Sequence, residues 1–218
     1  MCSKFKVKDL NKKIHDICKR SKIIAVLTIQ DENVAIPLAE AIVAGGLSTL
    51  EITLRTPNAL EAIKRIASVK GAIVGAGTIL NSKDVESAKL AGAQFAVSPG
   101  ITEEIINSCE KYNLPILGGV SSVSEAMNMF NRGYNIMKFF PAEVNGGVKA
   151  LQAIYGPLPQ ILFCPTGGIS QKNAIDYLTQ PNVISIGGSW LATKEIIDRK
   201  DWNKVLNLAR NAVELGKR

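Results

Sequence analysis

Ile136-Met137-Lys138-Phe139-Phe140-Pro141-Ala142-Glu143 sets one ammonium group inside an apolar run that otherwise reads as a buried strand. An unpaired cation costs several kcal/mol to bury, so lysine is rarely inside a protein without a partner. Two readings of Lys138 stand side by side. It snorkels from a strand end to solvent, or it is an interior amine able to condense with a ketone, as lysine does in covalent catalysis.

Outward from this stretch the pattern is short apolar run, turn and helical stretch, repeated from residue 22 to the end. Strands are predicted at 23–28, 49–54, 72–75, 95–98, 115–117, 135–139, 161–164 and 183–186. Helices are predicted between and after them, at 32–44, 57–67, 82–91, 103–112, 123–132, 148–155, 171–178 and 202–215. Start signals accompany several: Thr56 before Pro57, Thr102 before Glu103-Glu104, Ser122 three residues ahead of Glu125, and Ser170 ahead of Gln171. Alternating strands and helices imply a parallel sheet. Eight such units predict a (β/α)₈ TIM barrel with an extra N-terminal helix, as one domain over residues 1–218. The runner-up is an open doubly wound sheet. Its dinucleotide fingerprint is missing, because Gly75-Ala76-Gly77-Thr78 lacks the third glycine and a placed acidic residue.

Composition narrows the function classes. The 218 residues, 46% hydrophobic, suffice for one sizeable core. Neither a membrane-spanning apolar run nor a secretory leader is visible, so a cytoplasmic protein is expected, without membrane partners. Cys2, Cys18, Cys109 and Cys164 are widely spaced and only His15 could join them, which argues against a structural zinc site. Residues 1–22 carry eight lysines and arginines against two aspartates, and so six of the seven net positive charges. Leu10, Ile14, Ile17 and Cys18 recur there at helical spacing. The segment reads as an amphipathic helix over the core with its basic face in water. An anionic surface is the other reading, but the aromatic interleaving of single-strand binders is lacking and no nucleic-acid partner is expected.

In 50–55, Leu50, Ile52 and Leu54 alternate with Glu51, Thr53 and Arg55. A barrel strand must be apolar on its helix-covered outer face, so Glu51, Thr53 and Arg55 are expected to point inward. A solvated antiparallel strand would show the same alternation. The same parity puts Ile136, Lys138 and Phe140 on one face and Met137 and Phe139 on the other. Lys138 and Glu51 can then meet as nucleophile and proton shuttle while Arg55 clamps a carboxylate, at the barrel end where active sites lie. A self-satisfied interior ion pair is the alternative. Gly167-Gly168 and Gly187-Gly188, the latter followed by Ser189, lie after the last two strands, where barrels often bind phosphate through backbone N–H groups.

Together, Leu50 to Thr56, Gly75 to Thr78, Val97-Ser98-Pro99-Gly100, Lys138 to Glu143, Asn145 to Leu151, Phe163 to Ile169 and Ile186 to Trp190 resemble the 2-keto-3-deoxy-6-phosphogluconate aldolases. The likeness covers nearly the whole chain after residue 22. It implies a class I aldolase without cofactor or metal, cleaving that phosphorylated ketoacid to pyruvate and glyceraldehyde 3-phosphate, and 4-hydroxy-2-oxoglutarate to pyruvate and glyoxylate. It implies that Lys138 forms the Schiff base and Glu51 is the general acid and base. Arg55 and Thr78 would hold the pyruvate carboxylate, and Pro99 and Phe140 would wall the pyruvyl group. Thr166 would contact substrate, while Gly167, Gly168, Gly188 and Ser189 would hold phosphate. A homotrimer is implied as well. The chain departs from the family at Leu117-Gly118-Gly119-Val120, where a proline usually precedes the glycine. That change is expected to loosen the fifth loop and leave the catalytic residues untouched. A barrel that binds a phosphorylated ligand without turnover is the rival reading.

Overall fold

The computed structural model describes residues 2–217, with side chains described from Lys6 onward. Of the residues named above, Cys2 therefore falls outside the described side chains. Parallel strands β1 (Ile23–Leu27), β2 (Thr49–Thr53), β3 (Ile73–Gly77), β4 (Phe95–Val97) and β5 (Ile116–Leu117) lie side by side. β6 (Gly119–Val120), β7 (Ile136–Phe139) and β8 (Leu162–Pro165) form a second run, and β9 (Ile186–Gly188) pairs with β1. Two joints close the ring. β5 and β6 are one stave that changes partner at Gly118, whose carbonyl accepts from the Lys138 N–H at 2.9 Å. The chain around β8 meets the chain leading into β9 through isolated bridges, Phe163 to Val183 and Thr166 to Gly187. The result is an eight-staved parallel barrel, as its periodicity predicts.

The eighth stave corrects the predicted strand 183–186. Two residues lie between Phe163 and Thr166, but three between Val183 and Gly187, so one extra residue bulges from the ladder. Regular pairing resumes only at Ile186. The third strand likewise runs two residues beyond its predicted end, to Gly77. Gly118 is a joint inside a stave and not a loop residue, and it bonds directly to the backbone of Lys138. The bond uses the backbone carbonyl of residue 118, which a proline there would also present, so it does not bear against the expectation that the change leaves the catalytic residues untouched.

The helices are α2 (Ala35–Ala44), α3 (Ala59–Ile66), α4 (Ser82–Leu90), α5 (Glu103–Tyr112), α6 (Val123–Asn131), α7 (Gly147–Tyr155), α8 (Ala174–Leu178), α9 (Lys194–Asp198) and α10 (Trp202–Gly216), preceded by α1 (Cys2–Arg20). Thr102 and Ser122 cap α5 and α6 as predicted, the latter in a full capping box with Glu125. Thr56 and Ser170 do not cap. Thr56 donates its hydroxyl to the Ile29 carbonyl at 2.6 Å, and Ser170 bonds to Asn173 Oδ1, so α3 and α8 start later than expected. The short α9 carried no signal beyond its length.

Parity decides what fills the barrel. Ile24, Phe95, Val97, Leu117, Ile136 and Cys164 face inward and pack with Ile14 and Cys18 of α1. Met137, Phe139 and Phe163 face the helices, with the two phenylalanine rings edge to face at 6.0 Å. The apolar stripe of α1 thus plugs the barrel floor, each buried aliphatic contributing about 1.5–3 kcal/mol relative to exposure. Lys8, Lys12, Lys19 and Arg20 remain exposed on its other side.

Candidate active site

Lys138, third residue of β7, is 5% exposed, and Glu51, third residue of β2, is 3% exposed. Their side chains meet across the barrel, Nζ to Oε1 at 3.5 Å. Among the described residues neither side chain makes another hydrogen bond. Lys138 Nζ also lies 5.1 Å from the centre of the Phe140 ring. Taking two charges out of water costs several kcal/mol per ion, and a single long contact repays that poorly. Such a pair is a poor structural device and a good place for chemistry.

The strand beside β2 makes the room. β3 presents Gly75 and Gly77 inward in register with Glu51 and Thr53. The Phe95 ring occupies the space a side chain at Gly75 would need, and Glu51 occupies that at Gly77. Any Cβ at Gly77 would overlap Glu51 Oε1 and push it away from Lys138. Above Glu51, Thr53 donates to the Leu27 carbonyl at 3.1 Å and lies 2.9 Å from the Thr28 hydroxyl.

The other expected residues follow the C-terminal ends of successive strands. After β2, Arg55 donates its Nε to Thr78 Oγ1 at 3.1 Å, and both terminal guanidinium nitrogens are uncommitted among the described residues. Thr78, after β3, has φ of 60°, a left-handed conformation that is a true outlier for a β-branched residue. Strain of this kind costs about 1–3 kcal/mol and persists where surroundings over-determine it, often at functional sites. Pro99, after β4, is half-buried, and its carbonyl sits where a side chain at Gly119 would lie. Phe140 follows β7.

Thr166, Gly167 and Gly168 follow β8, with φ of 102° and 79° at the two glycines. Among the described residues their two N–H groups have no intramolecular acceptor. Gly188 is the buried last residue of β9, packed on the Trp190 ring, and Ser189 is exposed just beyond it. The Thr166 to Gly187 bridge holds the two loops together. Lys138, Glu51, Arg55, Thr78, Pro99, Phe140, Thr166, Gly167, Gly168, Gly188 and Ser189 thus lie on strands or strand ends at one mouth of the barrel. Burial pushes the Cys164 thiol, in register beside Lys138, up to about 11, so it stays protonated at neutral pH.

Gly77, Gly119, Glu143 and Tyr177 were not singled out from sequence. Gly77 had a signal, since two glycines on the inward face of one strand leave space that a neighbour must fill. Tyr177 had none. Among the described residues no three His, Cys, Asp or Glu side chains gather as metal ligands. A cavity of about 310 Å³ between α5 and α6, lined by Glu103, Glu125 and Arg132, contains none of the site residues.

Comparison with known proteins agrees with this geometry. A family model described as KDPG and KHG aldolase matches residues 14–208. The chain is 49% identical over 193 residues to the KHG/KDPG aldolase of Escherichia coli K12, covering 88% of this chain and 91% of that one. It is 48% identical over 199 residues to the 2-dehydro-3-deoxy-phosphogluconate aldolase of Pseudoalteromonas atlantica, covering 91% and 93%. The KDPG aldolase of Legionella pneumophila, solved with pyruvate captured at low pH as a covalent carbinolamine intermediate, superposes with a TM-score of 0.87 at 43% identity, covering 90% of this chain and 96% of that one.

Proposed function

The chain belongs to the KDPG and KHG aldolase family, and from that premise we propose that Lys138 and Glu51 carry a class I aldolase reaction in it. The substrate is 2-keto-3-deoxy-6-phosphogluconate (KDPG), cleaved to pyruvate and glyceraldehyde 3-phosphate. 4-Hydroxy-2-oxoglutarate (KHG) is a second substrate, giving pyruvate and glyoxylate. One observation carries the residue roles: a buried lysine and a buried carboxylate 3.5 Å apart at the open end of the barrel.

Transfer of one proton from Lys138 to Glu51 leaves the neutral amine that attack requires. Nζ adds to the C2 ketone, and Glu51 returns the proton to the carbinolamine hydroxyl, which leaves as water, so that an iminium forms at C2 next to C3 and Glu51 is again a carboxylate. Glu51, through a water, takes the C4 hydroxyl proton as the C3–C4 bond breaks, and the electron pair passes into the iminium as an enamine. The aldehyde leaves. Protonation of the enamine at C3 by Glu51 and hydrolysis of the iminium release pyruvate and restore Lys138. The guanidinium of Arg55 and the Thr78 hydroxyl hold the substrate carboxylate, with Pro99 and Phe140 on either side of the pyruvyl unit. Thr166 contacts the substrate, and Gly167, Gly168, Gly188 and Ser189 take its phosphate. The N–H groups of Gly167 and Gly168, which have no intramolecular acceptor among the described residues, support that assignment.

A cytoplasmic homotrimer is part of the same reading. A phosphorylated sugar acid is too highly charged to cross a membrane unaided, so the enzyme belongs with its substrate. Trimer formation is supported by an apolar stripe on α6, where Val123, Met127 and Phe130 are 41%, 48% and 36% exposed at helical spacing. No described helix is long and apolar enough to cross a membrane.

Borohydride reduction in the presence of pyruvate tests the reaction. The expected result is a pyruvyl mass gain on the peptide carrying Lys138, lost in Lys138→Ala together with turnover while the protein stays folded. Glu51→Gln, which has no carboxylate to take the Lys138 proton, should be trapped more slowly than the parent and turn over about 10²–10⁴-fold more slowly. Full activity of Lys138→Ala would sink the mechanism.

A further inference from the structure

We propose that Glu143 and Tyr177 brace the Gly167–Gly168 loop at a set distance from Lys138 and so make the site selective for phosphorylated substrates. The proposal rests on the aldolase reading above and adds two positioning residues to it.

Remote binding energy helps a reaction only if the remote group is held at the right spacing from the reacting atoms, and a misplacement of about 1 Å can cost about a hundredfold. Here the nucleophile and the loop belong to different strands, β7 and β8. What joins them beyond the sheet is the turn after β7. Ala142 N–H donates to the Thr166 carbonyl at 2.8 Å, and Glu143 N–H to the Gly167 carbonyl at 3.1 Å. Glu143, five residues after Lys138, then lays its side chain against Gly168. A Cβ on Gly168 would stand 2.5 Å from Glu143 Cγ and 2.7 Å from its Cβ. The loop is seated on that side chain.

An exposed glutamate would be a poor seat by itself, since its rotamers are free. Tyr177 of α8 removes that freedom. It is only 1% exposed, and its hydroxyl donates to Glu143 Oε1. A buried phenol must find an acceptor, and a carboxylate is a strong one. Burial first, and this hydrogen bond second, raise the phenol above its ordinary pKa, so it stays a donor throughout the working range. Gly147 closes over the pair, because a Cβ there would be 3.1 Å from the phenol oxygen and 3.2 Å from Glu143 Oε1. From the other side, Asn173 Nδ2 donates to the Gly168 carbonyl at 3.2 Å. The loop is thus held between the turn after β7 and the start of α8.

Tyr177→Phe tests the brace, because it removes one hydroxyl and keeps the buried ring. The KM for phosphorylated ketoacid should rise about fivefold, the equivalent of about 1 kcal/mol. Turnover of 4-hydroxy-2-oxoglutarate should stay within about twofold, and pyruvate trapping on Lys138 should persist. Glu143→Ala should reproduce the split, whereas Glu143→Gln, which keeps an acceptor oxygen for the phenol, should restore most of the loss. This second pair decides the matter if Tyr177→Phe fails to fold. An equal loss on both substrates, or no loss on the phosphorylated one, overturns the brace. Ser189→Ala and the trapping experiment report on the phosphate site and the aldolase chemistry separately. A selective loss in Ser189→Ala without one in Tyr177→Phe would therefore remove the brace alone, while absence of trapping in the unmodified enzyme would remove both.

Discussion

Gly168 shows how much one residue can hold. Its φ of 79° lies where side-chain-bearing residues are strained, and the space a Cβ needs is taken by Glu143. Gly168→Val should therefore shift the loop and also press on the turn that follows Lys138. Ser189 is exposed and offers one hydroxyl, so Ser189→Ala should cost only about 1 kcal/mol on the phosphorylated substrate. For Gly168→Val, kcat/KM on phosphorylated ketoacid should fall at least about tenfold more than on 4-hydroxy-2-oxoglutarate, on which a smaller loss transmitted through Glu143 is also expected. Equal losses measured on the two substrates would mean that the phosphate sits elsewhere.

At the scale of elements, α6 stands directly after the stave that contains Gly118 and Gly119, and its first turn is tied down by charge. Glu125 accepts from the Ser121 N–H at 2.7 Å and the Ser122 N–H at 3.0 Å. The Ser121 N–H foremost holds the carboxyl below its ordinary 4.5. A lowered folded pKa means that the ionised group stabilises the fold fully above the unfolded value, and that this contribution fades as pH falls through the folded one. Glu125 is largely exposed, so solvent screens much of it. Glu125→Ala should cost about 0.5–1 kcal/mol at neutral pH, typical of a lost cap. The gap between variant and parent should close well below pH 4.5. Urea unfolding at neutral and acid pH measures it, and a gap that persists in acid would assign the loss to something other than the charge.

For the whole molecule, the stripe of Val123, Met127 and Phe130 is apolar surface that an isolated barrel would leave in water. Burying it between copies would gain about 25 cal/mol per Å². Sedimentation velocity at micromolar concentration should give a species three times the 23.4 kDa chain mass. A monomer would refute the trimer, and a trimer unaffected by Met127→Glu would move the interface to another face.

The sequence by itself determined the class of fold and which side chains gather at one mouth of the barrel. Alternation in Leu50 to Arg55 and parity around Lys138 are direct images of strand geometry, in which successive side chains take opposite faces. Once the helical stretches covered one face, Glu51 and Lys138 had to share the other. Capping at Thr102 and Ser122 was legible for the same reason, since donor and acceptor lie three residues apart. Only the tertiary structure decided where pairing breaks and what braces what. The bulge before Gly187 depends on Phe163 and Thr166, and the joint at Gly118 on β4 and β7 together. Tyr177 reaches Glu143 from 34 residues away. Local periodicity records which way a side chain points, but which distant group it meets is set by closure of the ring.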